Sequence, residues 1–123
     1  MMLTQSDTLE SICGKILNLD SKIMFVGIIN DKGRLLAENK REGAEILADP
    51  KDQEIFLMEI ALGIRMRSEH DGHLGPAKFT ISYGDKVISM IFPLDEKILY
   101  VSAEKEIDML KATFLILQIL ETK

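Results

Sequence analysis

The sequence predicts an α/β (α+β) fold: a five-stranded, mainly antiparallel sheet of order 2-1-5-4-3, with helices on both faces and elements in the order α-ββ-α-βββ-α. Three observations predict it. Strand-like runs are joined by turn residues at Asn30–Gly33 and again at Gly84–Asp85, which reads as two hairpins. Helical periodicity returns before, between and after the strands. The strands also differ in polarity. Ile23–Ile29 and Ile98–Val101 are apolar on both faces and belong in the middle, whereas Ala77–Tyr83 has one polar face and belongs near an edge.

The first helix is expected over Asp7–Leu19, where Leu9, Ile12, Cys13 and Ile16 recur at steps of three and four and form the buried face. IMFVGII is then a strand covered on both sides. NDKG supplies the turn, with Gly33 placed for the left-handed conformation, and RLLAEN closes the hairpin. KREGAEILAD is polar and irregular, with Ile46 and Leu47 expected to tuck inward. Asp49–Pro50 is a helix start, a capping carboxylate followed by proline at the first helical position, and that helix should reach Arg67 or Ser68. EHDGHLGP reads as a turn, with Gly72 or Gly75 ending it and Pro76 preventing the helix from continuing. AKFTISY and KVISMIFPL form the second hairpin around Gly84–Asp85, and KILYVSA is the fifth strand. An apolar helix closes the chain over Glu104–Leu120, with Glu104 and Glu106 suited to its first turn by the helix dipole.

A chain of 123 residues, 46% hydrophobic and 28% charged, is long enough to bury a core and reads as one domain, 1–123. The formal charge of −5 argues against nucleic acid, which requires a basic patch. No apolar run is long enough for a bilayer span. The single cysteine, Cys13, excludes an internal disulfide, and the N-terminus carries acids before its first base. Together these suggest a cytoplasmic protein that needs no cofactor.

The middle helix carries two apolar stripes. At about 100° per residue, Leu57, Ile60, Ala61 and Ile64 share one stripe and should cover the sheet. Ile55, Met58, Leu62 and Met66 form a second, on roughly the opposite side, bounded by Glu54 and Arg65. Such a patch in water marks an interaction surface, so a homodimer is expected unless the loop Lys40–Asp49 folds back over it. Gly63, costly inside a helix, is consistent with close backbone approach there.

Only SEHDGHLGP looks like a site of chemistry. His70 and His73 could reach one metal ion, with Glu69 or Asp71 as a third ligand. They follow a helix rather than sit on one, however, and lack an HExxH frame, so the segment reads as a polar turn. Ser68 or Ser82 could be set beside these histidines on paper, but no GxSxG elbow places either, and no phosphate-binding loop is present. Cys13 reads as a small core residue.

The element order with its doubly apolar middle helix resembles the roadblock/LC7 superfamily. FVGIINDKGRLLAEN is similar to that family's opening hairpin, and KVISMIFPLDEKILYVSAEKEIDMLK to its last strands and helix. The stretch HLGPAKFTISYGDKVISMIFPLDEKILYVSAE is also similar to a small archaeal family of unknown function. The roadblock resemblance implies a non-catalytic, regulatory or scaffolding dimer in which middle helices pack together and third strands pair. Here those are Pro50–Arg67 and Ala77–Tyr83, giving an interface of Ile55, Met58, Leu62 and Met66 with Lys78, Thr80 and Ser82. It also implies a small GTPase or similar switch protein as a client. A different reading is a small-molecule sensor with a profilin- or PAS-like core, whose cavity would be lined by Phe25, Phe79 and Met90.

Overall fold

In a computed structural model, residues 8–121 are described. They form α1 (Leu9–Leu17), β1 (Ile23–Asn30), β2 (Leu35–Lys40), α2 (Pro50–Ser68), α3 (Asp71–Leu74), β3 (Thr80–Tyr83), β4 (Ile88–Pro93), β5 (Lys97–Ala103) and α4 (Met109–Glu121). The five strands make one antiparallel sheet in the order β2-β1-β5-β4-β3, as the strand polarities predicted.

The sheet separates two apolar layers. Val26, Ile28, Met90, Phe92, Leu99 and Val101 face α1 and α4, where they meet Ile12, Cys13, Ile16, Ala112, Ile116 and Leu120. Phe25, Ile29, Ile98 and Tyr100 face α2 and meet Leu57, Ile60 and Ala61. Both faces of the sheet are thus covered, the arrangement expected when two-sided strands sit in the sheet centre.

The first helix is shorter than its periodicity suggested. Thr8 caps it by accepting a hydrogen bond from the Ser11 amide at 2.9 Å, and Asp7, the expected start, lies outside the described residues. Past its end, Arg41 donates to the carbonyls of Leu17 (2.7 Å), Asp20 (3.1 Å) and Ile23 (3.0 Å). One guanidinium thus satisfies acceptors that the helix end and the β1 start leave open.

The first hairpin turns on Asn30 and Gly33. The Asn30 side chain accepts from the amides of Lys32 and Arg34, both at 2.9 Å, and Gly33 takes φ +89°. Its partner strand slips by a residue between Ile28 and Ile29, leaving Leu36 outside the register and exposed. In the loop that follows, Ile46 packs against the α2 layer but Leu47 does not. Leu47 remains exposed, contrary to the inward placement expected for both.

Three boundaries depart from the sequence reading. The turn EHDGHLGP contains a single helical turn, α3, closed by Gly75 at φ +77° with its amide donating to Asp71 at 2.8 Å. The second hairpin turns about Asp85–Lys86, with the Gly84 amide donating to the Val87 carbonyl, rather than about Gly84–Asp85. The last helix begins at Met109, not Glu104. Asp108 accepts from the Lys111 amide at 3.2 Å, while residues 104–107 form a separate turn, tied to β1 by the Glu104 amide donating to Lys22 O. Glu104 and Glu106 therefore lie outside the first turn they were assigned to.

Strand β3 starts at Thr80 instead of Ala77, and Pro93 supplies the reason. The Leu94 amide donates to Lys97 O, so by antiparallel alternation the even-numbered residues of β4 turn their amides to β5 and the odd-numbered ones to β3. Ser89 and Ile91 pair with Ser82 and Thr80 on that side. The next such position is Pro93, which has no N–H to offer Lys78, and the ladder ends.

Candidate functional site

Helix α2 is built as the sequence suggests. The Asp49 carboxylate accepts from the Lys51 amide at 2.8 Å, and Pro50 opens the first turn. Leu57, Ile60 and Ala61 are buried on the sheet and Ile64 is half-buried beside them. Phe56 joins this inner face, meeting the Tyr100 ring edge-on at 5.6 Å. Its place between the two apolar stripes hid that contact from pattern analysis. Tyr100 in turn shares a hydrogen bond with Ser89 at 2.9 Å, and burial pushes its phenol pKa up, with that bond opposing the shift.

The outer stripe faces away from the protein. Ile55, Met58, Leu62 and Met66 are 50%, 56%, 52% and 60% exposed. The loop 40–49 does not cover them, since its Ile46 packs against the inner layer. A methyl group added at Gly63, beside the stripe, would meet no atom within 4 Å. The helix is held in this orientation by the first hairpin, where Gly33 lies against the backbone of Met58 and Leu57 and Arg65 donates to Asp31 O at 3.3 Å.

One margin of the sheet is β3, which pairs with β4 alone. Lys78, Thr80 and Ser82 are exposed, while Phe79 and Ile81 pack into the opposite layer. The residues singled out for an interface thus lie on two separate elements, α2 supplying exposed apolar side chains and β3 an open row of backbone groups.

The histidines take no part in this surface. His70 precedes α3 and His73 lies within it, both exposed, and among the described residues no three His, Cys, Asp or Glu side chains are grouped to hold a metal. The Ser68 hydroxyl donates to Arg65 O at 2.6 Å. Ser82 sits on β3, outside the histidine segment. Cys13 is fully buried, and desolvation first, then the charges of Glu10 and Glu38, push its thiol up to about 12. It stays protonated at neutral pH and is no nucleophile.

Phe25, Phe79 and Met90 do not line a common cavity. Phe25 lies in the α2 layer and Met90 in the α1/α4 layer, with the sheet between them. A cleft of about 490 Å³ does open elsewhere, at the end of the sheet past the start of β3. Its floor includes Ile64, Phe92, Ile98 and Leu117, and its rim mixes Arg65, Lys78 and Lys97 with Asp31 and Asp95. Arg67 closes one side by bridging the Asp71 carboxylate at 2.9 Å and Gly75 O at 3.1 Å. Both bases and acids line the cleft, so neither charge is favoured by composition.

A five-stranded sheet of this order, with one helix on one face and two on the other, is the roadblock/LC7 fold. The chain superposes on a roadblock/LC7 domain from Streptomyces avermitilis with a TM-score of 0.73 at 9% identity, covering 94% of each chain. It is similar to the gliding protein MglB from Thermus thermophilus (TM-score 0.65, 12% identity, 91% of this chain and 87% of that one). It also matches MglB with a tetrameric arrangement (TM-score 0.65, 13% identity, 89% and 85%). Within that fold, the chain belongs to the family of unknown function DUF6659, which matches residues 4–123. No curated protein matches it.

Proposed function

We propose that this protein is a scaffolding or regulatory protein without catalysis of its own, working as a homodimer built on α2 and β3, with a small GTPase or similar switch protein as client. The exposed stripe Ile55–Met58–Leu62–Met66 carries the reading. Each of its side chains is about half exposed, so completing its burial gives about 1 kcal/mol, or roughly 8 kcal/mol over two copies. Association costs on the order of 4–15 kcal/mol. The stripe therefore offsets much of that cost, and strand pairing at β3 adds to it.

The tetrameric arrangement of MglB supports self-association as a use of this fold. The buried, protonated Cys13 and the committed Ser68 hydroxyl support a non-enzymatic role. The client is suggested by the family resemblance. Sedimentation velocity at micromolar concentration tests the dimer: the wild-type protein should sediment as a dimer and Leu62→Glu as a folded monomer, because a charge desolvated at an interface centre is costly. A wild-type monomer would sink the proposal. Recovery of a GTPase on immobilised wild-type protein, but not on Leu62→Glu, tests the client.

A further inference from the structure

The cleft at the end of the sheet exists because of Pro93. Where the β3–β4 ladder stops, the chain at Ala77 and Lys78 parts from β4. A space of about 490 Å³ opens between that segment, the last turns of α2 and the β4–β5 turn. Its apolar lining comes from both layers, Ile64 and Ile98 from the α2 side and Phe92 and Leu117 from the α4 side. The volume suits a small molecule, for which pockets run from about 300 to 1,000 Å³.

Four bases and three acids line the cleft, a nearly even mixture, but they are unevenly paired. Arg67 and Asp71 are bound to each other, and Asp95 is engaged as well. Arg65 gives one N–H to the Asp31 carbonyl and keeps its others. Among the described residues, the ammonium groups of Lys78 and Lys97 have no partner. The Lys78 amide has none either, since β3 does not reach it. The open groups are therefore mostly donors. The lining as a whole carries one positive charge in excess, on a chain whose net charge is −5. One negative charge matches that excess, whereas a phosphate monoester carries nearly two at neutral pH.

We infer that this cleft binds a small apolar carboxylate, its hydrocarbon on Ile64, Ile98 and Leu117 and its head held by Lys78 and Lys97. Burial of the hydrocarbon supplies the affinity. The carboxylate oxygens accept from the two ammonium groups and the Lys78 amide, bonds that charge makes strong. A neutral molecule of the same shape leaves those donors unmet, and a cation adds to the charge already in excess. Every group involved belongs to one chain, so the site stands apart from the dimer proposed above.

Calorimetric titration with sodium decanoate, kept below the concentration at which it forms micelles, tests the site. The wild-type protein should bind one decanoate per chain, and should bind decan-1-ol and decylamine at least about tenfold more weakly. The double variant Lys78→Gln/Lys97→Gln should weaken decanoate binding at least about tenfold with a native circular dichroism spectrum. Ala77→Phe, which fills the cleft, should abolish binding; if it fails to fold, the lysine variant decides. Leu62→Glu, which breaks the proposed dimer, should bind decanoate as the wild-type protein does, so the two readings fail separately. Absence of decanoate binding, equal binding of all three probes, or full binding by the lysine variant would overturn the inference. Loss of binding in Leu62→Glu would place the ligand on the α2 stripe and overturn it too.

Discussion

Gly33 lies against Met58 so closely that a Cβ on the glycine would come within 2.6 Å of the Met58 Cα. The turn between β1 and β2 is therefore the seat on which α2 rests, and it decides which way the exposed stripe points. Gly33 also has φ +89°, where a side chain costs about 1–2 kcal/mol before any clash. Gly33→Ala should lower unfolding free energy by about 2 kcal/mol or more, read from urea denaturation. A loss below that of an ordinary surface change would show that α2 does not rest there.

Thermal stability should depend on protein concentration. A dimer that is more stable than its subunits melts higher as concentration rises. Calorimetry over a hundredfold range should show Tm climbing for the wild-type protein and staying constant for Met66→Glu.

Alkaline pH should unfold the protein in two overlapping stages. The folded Cys13 thiol is raised from 9.0 to about 12, so the unfolded state loses its proton first. Its contribution is complete below about pH 9 and is lost as pH rises to about 12, with a slope near 1.4 kcal/mol per unit. Tyr100, also raised by burial, begins to lose its own stabilising contribution above its ordinary pKa of 10.0. Cys13→Ala should flatten the first stage in urea denaturation at pH 9–11, and an unchanged slope would contradict the assignment.

Arg41 binds three main-chain carbonyls at the junction of α1 and β1. Arg41→Met should cost about 2–3 kcal/mol, the lower range for several charge-assisted bonds at a half-buried site. Arg41→Lys should recover only part of this, since an ammonium cannot reproduce the planar fork. Chemical denaturation of the two variants provides the comparison.

The start of α4 can be checked in the same way. Asp108→Ala should cost about 1 kcal/mol, whereas Glu104→Gln and Glu106→Gln should change little. Equal losses at all three would place the helix start where the sequence pattern had it.

The order of the strands was legible because burial leaves its mark on each residue: Ile23–Ile29 and Ile98–Val101 could only be central. The outer stripe of α2 was legible for the same reason. Boundaries were harder, because they depend on partners distant in the chain. Pro93 shortens β3 from the far side of a hairpin, and Asp108 outcompetes Glu104 as a helix start through one hydrogen bond. Arg41 stood in a polar stretch with no periodicity, so nothing marked it as a clamp. Phe25 and Met90 look alike as apolar strand residues. Only their register sends them to opposite faces, and that removes the shared cavity that the alternative, ligand-sensing reading required.

The slipped register beside Leu36 has a consequence at the far side of the molecule. Strand β2 is the sheet's other margin, and there the irregular pairing sits with Glu38 and Lys40 on a strand of six residues. Kinked, charged edges resist the addition of further strands. In the proposed dimer the sheet grows only through β3 and so closes after two copies, which is how an open sheet escapes becoming a fibre.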